Sequence, residues 1–238
     1  MRFKNKIVIV TGAGAGIGAA TALRFCEEGA FVVCNSVSNS AKAVTEQLTQ
    51  KGFKSIFIQG DIADPETASH IINKTLEQFG RLDILINNAG IVLGGTIDNT
   101  SLADFHRTLD VNVIGTFLMS QKAVEVMKKQ GKGTIVNVSS VAASKGHINR
   151  LAYSASKGAV TAMTRSMALE LCHDNIRVNC VSPGTTLTPS LESRIACSPD
   201  PEEARKQFCA RQPINTLGPP KENAEAILFA ADDAASYM

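Results

Sequence analysis

Short apolar runs alternate along the chain with longer stretches whose apolar positions recur every three or four residues. The runs are Ile7–Val10, Phe31–Asn35, Ser55–Gln59, Leu82–Asn87, Gly133–Val138 and Arg177–Ser182, each with the length and β-rich character of a strand. The first four are nearly continuous in Ile, Val, Leu and Phe, as a sheet covered on both faces requires; a half-exposed sheet would alternate apolar with polar residues. Helical stretches between successive strands act as crossovers, so the strands run parallel. The expected fold class is α/β, a doubly wound, Rossmann-like parallel sheet with helices on both faces. Seven of the eight prolines lie between Pro183 and Pro220, a long excursion after the sixth strand that reads as a substrate lid over about 184–220.

A length of 238 residues suits one large α/β domain spanning residues 1–238, and 44% apolar against 19% charged residues excludes a disordered chain. Twenty-four basic and 22 acidic residues leave a net charge of +2 without a basic block, which argues against nucleic acid or an anionic membrane as partners. No apolar run approaches the ~20 residues of a spanning helix. The start, Met1-Arg2-Phe3-Lys4-Asn5-Lys6, leads into a strand and does not read as a signal peptide. The six cysteines (26, 34, 172, 180, 197 and 209) form no CxxC pair, and the four histidines (70, 106, 147 and 173) are scattered. Reduced thiols of a cytoplasmic protein, and no metal site, are the expectation.

Strand one runs straight into Thr11-Gly12-Ala13-Gly14-Ala15-Gly16-Ile17-Gly18, after which the pattern is helical through Glu28. A strand, a glycine-rich turn and a helix start present free N–H groups and the positive end of a helix dipole to an anion, and the glycines admit a pyrophosphate. Dinucleotide binding follows as the working reading. The spacing of Gly12, Gly16 and Gly18 is GxxxGxG; a GxGxxG reading has to borrow Ala19 for its last position.

Here the chain resembles the short-chain dehydrogenase/reductase family, whose TGxxxGIG fingerprint is matched from Thr11 to Gly18. Asp61-Ile62 is similar to the family's adenine-contacting pair, and Asn87-Asn88-Ala89-Gly90 to its NNAG motif. Asn112 occupies the family's helical asparagine position. Pro183-Gly184, with Thr186 and Thr188, matches the PGxxxT segment along the nicotinamide. The matches run in order over some 180 residues.

Tyr153-Ser154-Ala155-Ser156-Lys157 carries the chemistry. Residues four apart share a helix face, so the Lys157 ammonium is expected beside the Tyr153 phenol. A neighbouring cation and an oxidised nicotinamide both favour the phenolate, which would bring a phenol of ordinary pKa about 10 into use as an acid/base. Ser139-Ser140 ends the preceding strand, and Ser140 lies thirteen residues before Tyr153. That separation resembles the family's serine and tyrosine, and Ser139 should point to the opposite side of the strand. By resemblance, Ser140 bonds the substrate oxygen, Tyr153 transfers the proton, Lys157 holds the nicotinamide ribose and tunes Tyr153, and Asn112 positions a water behind Lys157.

NAD enzymes usually carry an acid at the end of strand two, and NADP enzymes a nearby base. This chain has Ser36 there, Ala15 at the turn position that is often basic in NADP-using members, no acid between Glu28 and Glu46, and only Lys42 as a nearby cation. NAD or NADP is expected, with either weak discrimination or a preference set by neutral hydrogen bonds. The chain resembles the family branch that contains cytosolic 3-hydroxybutyrate dehydrogenase and the 2-keto-3-deoxy sugar acid dehydrogenases, and Arg150, Arg194 and Arg211 match arginines that bind the substrate carboxylate in the former. The resemblance implies a small hydroxy or oxo acid. Alternatives are a 3-oxoacyl carrier-protein reductase, a sugar or polyol dehydrogenase and, from another class, a non-catalytic dinucleotide-binding redox sensor. Helical runs from Leu102 to Lys129 and Ala152 to His173 are apolar on more than one face, and in the family such helices pair across a dimer or tetramer, so a homo-oligomer is expected. Family members continue past a helix at Glu222–Ala231 into a seventh strand, whereas this sequence stops at Met238.

Overall fold

The computed structural model describes all residues from Met1 to Met238. Six strands, β1 (Ile7–Val10), β2 (Phe31–Ser36), β3 (Ser55–Gln59), β4 (Ile84–Asn87), β5 (Gly133–Val138) and β6 (Ile176–Val181), form one sheet in the order β3-β2-β1-β4-β5-β6. Every pairing is parallel. The helices are α1 (Gly16–Glu27), α2 (Ser40–Gln50), α3 (Pro65–Phe79), α4 (Leu102–Leu109), α5 (Gly115–Gln130), α6 (Leu151–Leu171), α7 (Pro189–Ala196), α8 (Pro201–Ala210) and α9 (Pro220–Ala231).

Each central strand feeds two cores. Val8, Val10, Ile84, Ile86 and Val136 pack with Ala22 and Phe25 of α1 and Ile227 and Leu228 of α9. Their neighbours Ile9, Leu85 and Ile135 turn the other way, onto Ile71 and Ile72 of α3 and Met119, Ala123 and Met127 of α5. This two-sided burial is why the runs lack alternation. The strand order reverses between β1 and β4, and the crevice outside their carboxyl ends is where an open α/β sheet accepts a ligand.

Several boundaries differ from the sequence expectation, each for a local reason. Leu82 lies outside β4, because the side-chain amide of Gln130 accepts from its N–H (2.9 Å) and donates to its carbonyl (2.7 Å). The helix expected from Leu102 to Lys129 is divided by a π-helical turn at Asp110–Ile114. The wider turn carries Asn112 to the interior, where it is fully buried. The Pro-rich segment contains α7 and α8, whose first residues are prolines. Thr188 and Asp200 cap them by accepting from the N–H groups of Leu191 (3.3 Å) and Glu203 (3.0 Å). The prolines therefore open helices in this segment. Its two feet are joined where Thr186 bridges Gly218. On the edge strand β6, Arg177 donates to the carbonyls of Ala230, Ala231, Asp232 and Ala235, which closes the C-terminal end of α9.

Candidate active site

The crevice at the β1/β4 switch holds a cavity of about 500 Å³. Its floor is the turn between β1 and α1. Gly12 has φ +64°, and a Cβ there would lie 2.7 Å from the Ala89 Cα; Gly16 has φ +53° and would meet Thr188 at 2.8 Å. A Cβ on Gly18 would overlap the Gly12 carbonyl oxygen. The three glycines let the turn and the segment after β4 approach closely, and Thr11 and Asn88 lock them. The Thr11 hydroxyl accepts from the N–H groups of Asn88 and Ala89 (3.1 Å each), and the Asn88 amide donates to the carbonyls of Thr11 (3.0 Å) and Gly12 (3.2 Å). Ala15 occupies the N-cap of α1 and offers no side-chain cap, so the first N–H groups of the helix are left open at the cavity. An open cradle of this kind fits the diphosphate of a dinucleotide.

At one end of the floor, the Ser36 hydroxyl is engaged within the chain, donating to the Ser38 carbonyl (2.6 Å) and accepting from the Ala41 N–H (3.1 Å). Asp61 accepts from the Ala63 N–H (3.1 Å) and pairs with Arg107 at 3.3 Å. Beyond the turn, the Pro183 carbonyl accepts from Val141 (3.1 Å), and Thr186 accepts from Asn223 (3.0 Å). These bonds hold the Pro183–Thr188 strip against the cavity wall.

Ser140, Tyr153 and Lys157 line the same cavity. Ser140 caps a short 3-10 turn, accepting from the Ala142 N–H at 3.1 Å. The Ser139 hydroxyl donates to the Lys157 carbonyl (3.0 Å) and meets the Thr161 hydroxyl (2.8 Å). Lys157 is buried, donates to the Val138 carbonyl at 2.7 Å and lies 5.8 Å from the centroid of the Tyr153 ring. Burial pushes its pKa down to about 8, against a smaller opposing effect of Cys180.

Burial raises the Tyr153 pKa above the ordinary phenol value, and the opposing influences are the Ser140 hydroxyl and the charges of Arg150 and Arg194. The cations that favour the phenolate come from the cavity mouth.

Asn112, expected to position a water behind Lys157, is fully buried, and its Oδ1 and the Lys157 Nζ lie 3.1 and 3.5 Å from where a Gly90 Cβ would be. It does not line the cavity. Its side chain accepts from the Ile91 N–H (2.8 Å) and donates to the Ile91 carbonyl (3.0 Å) and the Ser156 hydroxyl (2.9 Å), and its carbonyl accepts from Thr116 (2.8 Å). These bonds tie the segment after β4 to α6 through Asn112.

Arg150, Arg194 and Arg211 meet at the mouth. Burial pulls the pKa values of Arg150 and Arg194 below the ordinary guanidinium value, and the neighbouring guanidiniums of the cluster add to the effect. Every other sequence-assigned residue lines the cavity: Gly12, Ala15, Gly16, Ile17, Gly18, Ser36, Asp61, Ile62, Asn88, Ala89, Gly90, Pro183, Gly184, Thr186 and Thr188. Sequence reasoning missed Arg107, His147 and Phe208. Arg107 carried no signal, since its bond to Asp61 spans 46 positions. His147 was marked only by lying between Ser140 and Tyr153. Burial, then the charges of Arg211, Lys145 and Arg150, lower its pKa.

A glycine turn at the switch point of a doubly wound sheet, with Ser, Tyr and Lys in the same crevice, defines an α/β oxidoreductase. Residues 6–196 match the family model described as short chain dehydrogenase. The chain belongs to that family, and it is an oxidoreductase acting on CH–OH groups; use of a nicotinamide cofactor is general among the members. It is 49% identical to an uncharacterized oxidoreductase of Thermotoga maritima, over 100% of this chain and 94% of that one. A cis-4-hydroxycyclohexanecarboxylate dehydrogenase of Sinomonas cyclohexanicum is 37% identical over 99% of this chain and 93% of its own length. The crystal structure of levodione reductase superposes with a TM-score of 0.94 at 32% identity, covering 100% of this chain and 94% of that one.

Proposed function

We propose that the protein interconverts a hydroxyl and a carbonyl on a small hydroxy or oxo acid, with NAD or NADP as the hydride partner. One observation carries the reading: a single cavity joins the glycine turn, Ser140, Tyr153 and Lys157, and the arginines of the mouth. The relative named for a hydroxycyclohexanecarboxylate supports an acidic substrate.

The turn from Gly12 to Gly18, with Ser36, Asp61, Ile62, Asn88, Ala89, Gly90, Tyr153, Lys157 and the Pro183–Thr188 strip, would hold the dinucleotide. When bound, the nicotinamide ring supplies the hydride chemistry. Tyr153 moves the proton at its phenolic oxygen, and Ser140 holds the substrate oxygen beside it. Lys157, buried at the dinucleotide side, brings its ammonium to the ribose. Arg150, Arg194 and Arg211 bind the carboxylate, for which the guanidinium fork gives two parallel hydrogen bonds. Residues 184–220 act as the lid, with α7 and α8 carrying Arg194 and Phe208 to the mouth.

The end of β2 carries Ser36 in place of an acid, and its hydroxyl is internally bonded, so the two coenzymes should differ by less than about a hundredfold in kcat/KM. Exposed Leu102 on α4, Ile114 on the π-helical turn and Phe117 on α5, with Leu151 at the start of α6, favour a homo-oligomer, dimer or tetramer, which sedimentation tests directly. Six free cysteines suit the reducing cytoplasm. No helix is long and apolar enough to cross a membrane.

The deciding assay is a panel of small hydroxy acids, sugar acids and acyl thioesters, followed by nicotinamide absorbance with each coenzyme. Arg150→Ala or Arg194→Ala should raise KM for an acid far more than it lowers turnover of a neutral alcohol. Equal effects on both, or activity on acetoacetyl thioesters alone, would refute the acid reading.

A further inference from the structure

We propose that His147 is a further substrate-binding residue of the mouth: its imidazole takes up a proton from solvent when an anionic substrate is seated among the arginines, and then donates a hydrogen bond to the bound carboxylate. The inference rests on the hydroxy-acid reading above and adds a residue that the reading does not use.

His147 lies on the segment between Ser140 and Arg150, is half-buried and lines the cavity. Its imidazole makes no hydrogen bond within the chain, so both ring nitrogens are free. A neutral imidazole offers one donor and one acceptor, whereas the protonated ring offers two donors and a positive charge. Only the protonated form adds both a charge and a second donor toward a carboxylate.

The charges around the ring are all of one sign. Lys145 and Arg150 act on it from its own segment, and Arg211 from the end of α8. Arg194 of α7 and Tyr153 and Lys157 of α6 line the same cavity. The one acid among the lining residues is Asp61, which is paired with Arg107. Burial, and then the charges of Arg211, Lys145 and Arg150, hold the His147 pKa below the ordinary imidazole value, so the ring is neutral in the unliganded enzyme at pH about 7.

Arg150 and Arg211 are also partners of the substrate carboxylate in the reading above. An anion seated there cancels part of the field that opposes protonation, and the His147 pKa rises in the complex. Between the lower value of the free enzyme and the higher value of the complex, binding draws in a proton, and affinity rises as pH falls. Below both values the ring is protonated with or without substrate, and above both it is neutral in either state, so the dependence ends on each side. An uncharged alcohol or ketone leaves the field as it was and draws in no proton through this ring.

Titration calorimetry with butyrate, an unreactive monoacid, on the enzyme saturated with NAD or NADP reads both effects. Affinity should rise at least about threefold from pH about 8 to pH about 6. At pH about 6.5 the heat should vary with the ionisation enthalpy of the buffer, in the sense of roughly half a proton taken up per butyrate. His147→Gln keeps a polar side chain that does not titrate and removes no hydrogen bond within the chain, and it should cut the uptake and the pH dependence by more than half. Affinity independent of pH and heat independent of buffer in the unaltered enzyme would overturn the proposal and leave the hydroxy-acid reading standing. Undiminished uptake in His147→Gln would overturn it also, by assigning the proton to another group. Absence of butyrate binding at every pH would overturn the hydroxy-acid reading and this inference with it.

Discussion

Replacing Asn112 by alanine should damage stability and coenzyme binding together, although this side chain never reaches the cavity. Its three side-chain hydrogen bonds are all to groups of the chain, at 2.8, 3.0 and 2.9 Å, and the residue is fully buried. Alanine leaves the N–H and the carbonyl of Ile91 without partners, at about 1–3 kcal/mol each, while Ser156 keeps its bond to the Tyr153 carbonyl and loses about 1 kcal/mol. The sum, about 3–7 kcal/mol, is a large share of the 5–15 kcal/mol that holds a typical domain together. Ile91 directly follows the Asn88-Ala89-Gly90 wall, and the Asn112 Oδ1 lies 3.1 Å from where a Gly90 Cβ would be. Loosening Ile91 therefore loosens the dinucleotide cradle. Urea unfolding of the unliganded protein should show the loss, and coenzyme titration of the remaining folded fraction should show at least tenfold weaker binding. A loss below about 1 kcal/mol with unchanged coenzyme affinity would refute the positioning role.

The two adjacent serines should separate cleanly. Ser140→Ala should lower kcat about a hundredfold while coenzyme still binds, whereas Ser139→Ala, which removes bonds to Lys157 and Thr161, should cost about 1–2 kcal/mol of stability and leave turnover within a few-fold; the reverse ranking contradicts the assignment. Gly18→Ala should abolish coenzyme binding in calorimetry, because the new methyl would overlap the Gly12 carbonyl; retained binding would show that the turn can yield. In the oxidation direction Tyr153 must be deprotonated. Burial raises its pKa, whereas Ser140, Arg150 and Arg194 lower it. Arg194→Leu should therefore move the rising limb of the kcat–pH profile to higher pH, lowering the rate below the limb and leaving it little changed above; an acid shift or no shift would contradict the role of the mouth cations.

What the sequence made legible follows the range of the interactions. The strand runs and the glycine turn are local, and the helical period alone brings Tyr153 and Lys157 to one cavity. Contacts between distant segments left no such trace. Leu82 satisfies the strand pattern, but Gln130, 48 positions away, takes its backbone groups. The π-helical turn that buries Asn112 has no compositional marker, so the break it makes in the helix expected from Leu102 to Lys129 was not legible. Lys157 was expected to be the cation acting on the phenol because spacing puts the two residues on one face. The direction of its ammonium depends on the Val138 carbonyl, on a strand the helical period does not describe. Within 183–220, proline density suggested an excursion, yet Pro189 and Pro201 stand at helix starts beside capping Thr188 and Asp200. That local signal was present in the residues and was outweighed by composition.

Parallel measurement of coenzyme affinity and turnover in Tyr153→Phe tests the central claim most directly. With the phenolic oxygen as the acid/base, the variant should bind NAD or NADP within about threefold of the unaltered protein and lose about a thousandfold or more in kcat. Turnover within tenfold of the original, or no heat of binding with either coenzyme in the unaltered protein, would contradict it.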